Sequence, residues 1–138
     1  MPDWNELSKG LNAILLASGG SNLMGWHENG IVAIFAWERE IIWNNATPDF
    51  VKEHKNILEK LGIPFKCMGE CFRIEFTIKS AKAFQLIHIL IHELGHHHDR
   101  MTTKNKNSSA RGECFAERYA NKYENNVLDI YRKKFNYV

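Results

Sequence analysis

The sequence predicts an α+β fold, and three observations predict it. Apolar residues recur at helical spacing early in the chain, over residues 48–61 and again near its end. Between these stretches lie β-branched and aromatic runs with strand character. Elements of the two kinds follow one another without repeats, linkers or low-complexity segments. The 138 residues, 44% hydrophobic and 12% aromatic, suit one domain with a proper core, taken here as 1–138.

Trp4, Leu7, Leu11, Ile14 and Leu15 recur at three and four, which predicts an amphipathic helix over 3–17 that stops at Ser-Gly-Gly-Ser-Asn. GIVAIFAWE and EIIWN read as two strands, an antiparallel pair with Arg39 near the junction. Thr47 as N-cap, Pro48 at the first helical position and Gly62 at the end punctuate a helix between them. IPFKCM and CFRIEFTIKS around a Gly-Glu turn read as a hairpin, with Phe72, Ile74, Phe76 and Ile78 alternating against Arg73, Glu75, Thr77 and Lys79. Helical spacing returns from about Ala81 to Met101. TTKNKNSSARG follows as a polar, mobile loop, and a last helix runs from about Ala110 to Phe135.

The 18 basic and 16 acidic residues are interspersed, apart from YRKKF near the end, so the net charge of +2 does not call for a nucleic-acid partner. Asp3, Glu6 and Lys9 interrupt the start, which does not read as an export signal. The longest apolar stretch, Ala83–Leu94, contains Gln85, His88, His92 and Glu93 and is too short and polar for a bilayer. Three cysteines match no disulfide framework, which suits a reducing compartment. The expected location is the cytoplasm, with no membrane partner and the oligomeric state left open.

That apolar stretch ends in His-Glu-Leu-Gly-His, residues 92–96. On a helix, His92 and His96 are about 40° apart in azimuth and one turn apart in height, so both imidazoles can reach one metal ion. Glu93 lies on the adjoining side, where a zinc hydrolase needs a base for the attacking water. Gly95 lets another backbone pack closely or leaves space beside the metal. The apolar run before the motif argues against a solvated helix end.

A catalytic zinc needs a third protein ligand, and Glu113 and Glu117 on the last helix are the candidates. They are four residues apart and share a face. An antiparallel helix beginning near Ala110 puts Glu117 level with the middle of His92–His96 and Glu113 about one turn higher, opposite His98 and Asp99. Glu117 is therefore the favoured ligand. Glu113 becomes the alternative third ligand, or a support or substrate contact.

HELGH followed by ERYANKY resembles the gluzincin-type zinc peptidases, especially the small ImmA/IrrE-like group, whose third ligand lies in an E-x-x-A-N-x-F segment. Here that segment is Glu117, Ala120, Asn121 and Tyr123, with Tyr in place of the usual Phe. The resemblance covers about residues 72–123. It implies a minimal zincin-like domain, in which a small antiparallel or mixed sheet packs on the motif helix and a glutamate-bearing C-terminal helix. It also implies zinc on His92, His96 and Glu117, Glu93 as general base, and regulated proteolysis, often in phages or mobile elements. Glu113 with an acid four residues later matches the arrangement of other gluzincins, and the ligand stays open between the two. No helix-turn-helix pattern accompanies the motif.

His88 and Asp99 share the stripe of His92 and His96. Asp99 can orient a ligand imidazole, hold substrate, or pair with a neighbour such as Arg111. His88, amid Leu86, Ile87 and Ile89, reads as a hydrogen-bonded core histidine. His97 and His98 lie off the stripe and read as solvated. Cys67 and Cys71 read as free thiols, and Trp26, Trp37 and Trp43 as core or cross-strand residues. The expected function is a zinc metallopeptidase acting on a protein or peptide, with substrate added as a strand along RIEFTIK. The alternative is a catalytically silent zinc-binding regulatory or interaction module.

Overall fold

Two three-stranded sheets and an interrupted helix that carries the motif share one hydrophobic core in the computed structural model, which describes residues 4–19, 24–37, 41–103 and 111–137. The architecture is α+β. A short helix α1 (Trp4–Leu7) leads into the first sheet, formed by β1 (Ala13–Gly19), β2 (Gly25–Glu28) and β3 (Ile31–Trp37) in the order β1-β3-β2. β1 runs parallel to β3, and β2 antiparallel to it.

The first expected helix is thereby corrected. Only Trp4–Leu7 is helical. Gly10 takes a φ of +72°, and Ala13–Gly19 pairs as a strand. A run such as Ala-Ile-Leu-Leu-Ala fits either period, and pairing with β3 decides it. β2 was not foreseen. It turns into β3 through Asn29 and Gly30, both at positive φ (46° and 78°), the left-handed pair that a two-residue hairpin loop requires.

The second correction concerns the expected pair of strands around Arg39, a residue outside those described. β3 stays in the first sheet. β4 (Ile42–Ala46) joins a second, antiparallel sheet with β5 (Phe65–Cys67) and β6 (Phe72–Glu75), in the order β4-β6-β5. The two strands still meet through side chains, Trp37 and Trp43 packing with ring centroids 4.7 Å apart.

Helix α2 (Pro48–Lys60) starts and stops where its punctuation indicates. Thr47 Oγ1 accepts from the Phe50 N–H at 3.1 Å, and Gly62 follows at φ +64°. The hairpin also forms, but its second strand ends at Glu75. Thr77 and Ser80 instead make a reciprocal cap for α3 (Ile78–Phe84), which leaves Ile78 largely exposed. A π turn (Gln85–Ile89) joins α3 to α4 (Leu90–Thr102), with the Leu90 N–H donating to the Gln85 carbonyl. The Gln85 side-chain amide donates to the Phe35 carbonyl and ties this turn to β3. Residues 104–110 of the expected loop lie outside those described, and α5 spans Glu113–Phe135. Among the described residues no helix is long and apolar enough to cross a membrane.

α4 and α5 touch at Gly95. A Cβ there would lie 3.0 Å from Ala116 Cα and 3.0 Å from Tyr119 Cβ. Beyond this point Asp99 accepts from the Gly112 N–H at 3.2 Å, so the helices run antiparallel with Gly95 beside Ala116 and Asp99 beside Gly112. Gly95→Ala should lower stability by about 1–3 kcal/mol in urea unfolding, although alanine is the better helix former, because the obstructing atoms belong to backbone and Cβ. An unchanged midpoint would mean that the helices can separate freely here.

Candidate metal centre

The π turn and α4 place His88, His92 and His96 on one stripe, with α5 alongside. His92 Nε2 and His96 Nε2 face each other at 3.1 Å. Glu113 closes the group, with Oε2 at 3.1 Å from His92 Nε2 and Oε1 at 3.3 Å from His96 Nε2. Donors each about 2.0–2.1 Å from one tetrahedral ion stand roughly 3.3 Å apart, so this trio has the spacing of three zinc ligands. The chemistry fits as well, since two imidazoles and a carboxylate are a donor set that zinc takes.

Glu117, the ligand the sequence favours, stands beside the His92 imidazole at its other nitrogen. It does lie level with the middle of His92–His96, but at that height its Oε2 meets His92 Nδ1 at 3.3 Å. Imidazole has two nitrogens. The glutamate beside the ring takes Nδ1, and the one a turn higher reaches Nε2. Glu117 is itself held by the Asn121 amide, which donates to Oε1 at 3.0 Å. Donation of Nδ1–H to Glu117 leaves His92 Nε2 as a lone pair aimed at the His96–Glu113 group. Burial alone would lower the His92 pKa, but Glu117, Glu93 and Glu113 together raise it. His96 is lowered by burial and by the imidazoles of His92 and His27, which outweigh Glu113 and Glu93.

Glu93 is nearly buried, on the side of α4 that faces β2. A Cβ on Gly25 would come within 2.6 Å of Glu93 Oε1, so a side chain there would displace the carboxylate from its place under β2. Two residues on, and on the same face of the strand, His27 stacks on His96 at 4.6 Å and 8°, with Nδ1 3.4 Å from Glu93 Oε2. Sequence reasoning missed His27. The Asn29-Gly30 hairpin signal was available and would have drawn β2, and His27 with it, to β3. Together these residues line a cleft of about 470 Å³.

Neither the family models, nor the curated proteins, nor the solved structures give a significant match to this chain. Its chemistry is therefore read from its own geometry.

Asp99 belongs to none of the candidate donor groups among the described residues. It is fully buried and accepts from Arg111 Nε at 2.6 Å, from the Gly112 N–H and from Thr103 Oγ1 at 3.3 Å, an arrangement that joins the end of α4 to the start of α5. Of the roles considered for it, the structure shows the pair with Arg111. His97, expected in solvent, is buried, and its Nε2–H donates to the Lys9 carbonyl at 3.1 Å. His98 packs on Phe115, and Cys67 and Cys71 are free thiols.

The same cleft is also lined by His54 and His88, which belong to a second, buried tier of polar groups. His88, 1% exposed, donates Nδ1–H to Glu124 Oε1 at 2.7 Å, and Lys60 Nζ donates to Glu124 Oε2 at 3.1 Å. His54 from α2 donates Nδ1–H to the Phe50 carbonyl at 2.9 Å, and burial pushes its pKa down to about 4. Glu124 has no solvent exposure, and its pKa is lowered because His88 and Lys60 outweigh the desolvation that would raise it.

A carboxyl with a lowered folded pKa protonates more readily in the unfolded chain, so its contribution is complete above the ordinary carboxylate range and is lost as acid titrates it. Glu124→Ala should destabilise by about 3 kcal/mol near pH 7, the order expected for breaking a buried pair. The difference from the parent should shrink below the ordinary carboxylate value of about 4.5. Urea unfolding from pH 7 to pH 3 measures this, and a pH-independent difference would contradict it.

Proposed function

We propose that this chain is a zinc-dependent metallopeptidase in which His92, His96 and Glu113 hold the metal and Glu93 is the general base. The observation that carries the reading is the convergence of His92 Nε2, His96 Nε2 and the Glu113 carboxylate, with Glu93 on the next position of the helix and lining the same cleft. Glu113 takes the ligand place the sequence favoured for Glu117, and Glu117 orients His92. The HELGH and glutamate-helix resemblance to zincin-like peptidases points the same way. A zinc ion supplies Lewis acidity, polarising a carbonyl and making a water easier to deprotonate near neutral pH.

The remaining work falls to side chains and backbone of this chain. Glu93 accepts the proton of the attacking water and delivers it to the leaving amine. Gly25 leaves room for that carboxylate, and His27 Nδ1 stands near its Oε2. Substrate cannot extend β6, the strand that RIEFTIK was expected to offer, because β6 is paired on both edges by β4 and β5. β2 is the edge of its sheet among the described residues and borders the cleft, so a peptide strand added to β2 would pass beside Glu93.

Zinc content and cleavage of a synthetic peptide mixture, read by mass spectrometry, test the assignment. Glu93→Gln should keep its zinc and lose about 10²–10⁴-fold in rate. Glu113→Gln should lose the zinc held by His92 and His96, and Glu117→Gln should keep that ion more weakly, by about 10–100-fold in affinity. Zinc-loaded parent protein that cleaves nothing, or a Glu93→Gln variant as fast as its parent, would sink the peptidase reading.

A further inference from the structure

The second tier has the makings of a metal site of its own. His88 Nδ1–H is committed to Glu124, so its Nε2 is a lone pair; that atom is buried and has no hydrogen-bond partner. Its nearest acidic neighbour is Glu117 Oε2 at 3.6 Å, also a lone-pair donor and too distant for a hydrogen bond. His54 repeats the arrangement. Its Nδ1–H goes to the Phe50 carbonyl, which leaves Nε2 to point elsewhere. One donor atom from each of His54, His88 and Glu117 falls within 4.8 Å of the other two. Three lone pairs turned toward one another inside a protein repel unless a cation lies between them.

A proton on His88 Nε2 is the simplest such cation. It is not required for charge balance at Glu124, which already has Lys60 Nζ at 3.1 Å. Nor would it account for His54, whose ring meets His88 edge-on with centroids 4.9 Å apart. Both rings are oriented by hydrogen bonds from Nδ1–H to a carboxylate or a carbonyl, the outer support that metal-bound histidines ordinarily have.

We infer that His54 Nε2, His88 Nε2 and the Glu117 carboxylate form a second, inner binding site for a divalent transition metal such as zinc, distinct from the group at His92, His96 and Glu113. Two imidazoles and one carboxylate suit zinc, cobalt or nickel better than calcium or magnesium, which prefer oxygen. The ring of His92 separates the two groups, with Nε2 toward Glu113 and Nδ1 toward Glu117. An inner ion would fix the Glu117 carboxylate and, through it, the orientation of His92.

The decisive protein is the full chain carrying His96→Gln and Glu113→Gln, which removes two of the three outer donors and none of the inner ones. Zinc alone is the probe, with bound metal measured by elemental analysis after dialysis. The double variant should retain about one zinc per chain, the occupancy of one three-donor site. Adding His54→Gln should abolish it. In ¹⁵N-labelled double variant, zinc should shift the Nε2 resonances of His54 and His88 and leave their Nδ1–H donors in place, a readout that needs no change within the inner site. A folded double variant that takes up no zinc overturns the inference, as does bound zinc that leaves the His54 and His88 resonances unmoved. The outer assignment is judged separately, by whether the parent binds one zinc more than the double variant.

Discussion

The close contact of Gly95 with Ala116 is the constraint on which the rest of the site depends. With no side chain between them, α4 and α5 approach until backbone and Cβ atoms touch, and the antiparallel register is pinned further along by the Asp99 carboxylate on Gly112 and Arg111. Three histidines on the stripe through the π turn and α4 then meet three glutamates on α5. His96 meets Glu113, His92 meets both Glu113 and Glu117, and His88 meets Glu117 and Glu124. A wider separation would weaken all of these together, since every one of them spans the same pair of helical segments.

The apolar face of the same helices explains why so polar an array can be buried. Phe84 and Ile87 sit in the main core beside Trp37, Ile74 and Phe76, while Ile91 packs with Leu7, Tyr119, Ala120 and Tyr123 in a smaller cluster. The array is also paired internally. Each buried carboxylate has at least one cationic or N–H partner, Lys60 for Glu124 and Arg111 for Asp99 among them. The sheets contribute one strand edge, β2, and set it against the motif.

Much of this was legible in the residues. The motif helix, the capped helix after Thr47 and the hairpin around Gly69 follow from spacing and punctuation, which are local properties. The level of Glu117 beside the motif was legible too, because two antiparallel helices with a short connection leave little freedom in register. What escaped was decided by nonlocal pairing or by chemistry within a ring. Ala13–Gly19 carries an apolar run compatible with either period, and only the partner strand β3 settles it. Which nitrogen of His92 each glutamate meets depends on ring orientation, to which helical height is blind. His54 and Glu124 belong to no motif in the sequence, and they are brought together only when α2 and α5 pack on either side of His88.

The π turn at Gln85–Ile89 has a consequence for how such a site can change over generations. A π turn holds one residue more than the α-helical turn it replaces, so it offsets the angular phase of α3 from that of α4 by about 100°. Residues upstream can face the two sheets while the histidine stripe downstream faces α5. Deleting a single residue here would restore a regular helix, and it would swing one half out of alignment with its partners without altering any metal-binding side chain. The spacing between Thr77 and His92 is therefore constrained, as are the identities of the buried residues within it. Exposed positions of this segment such as Ile78 and Leu86 can vary, whereas a change in its length breaks the alignment.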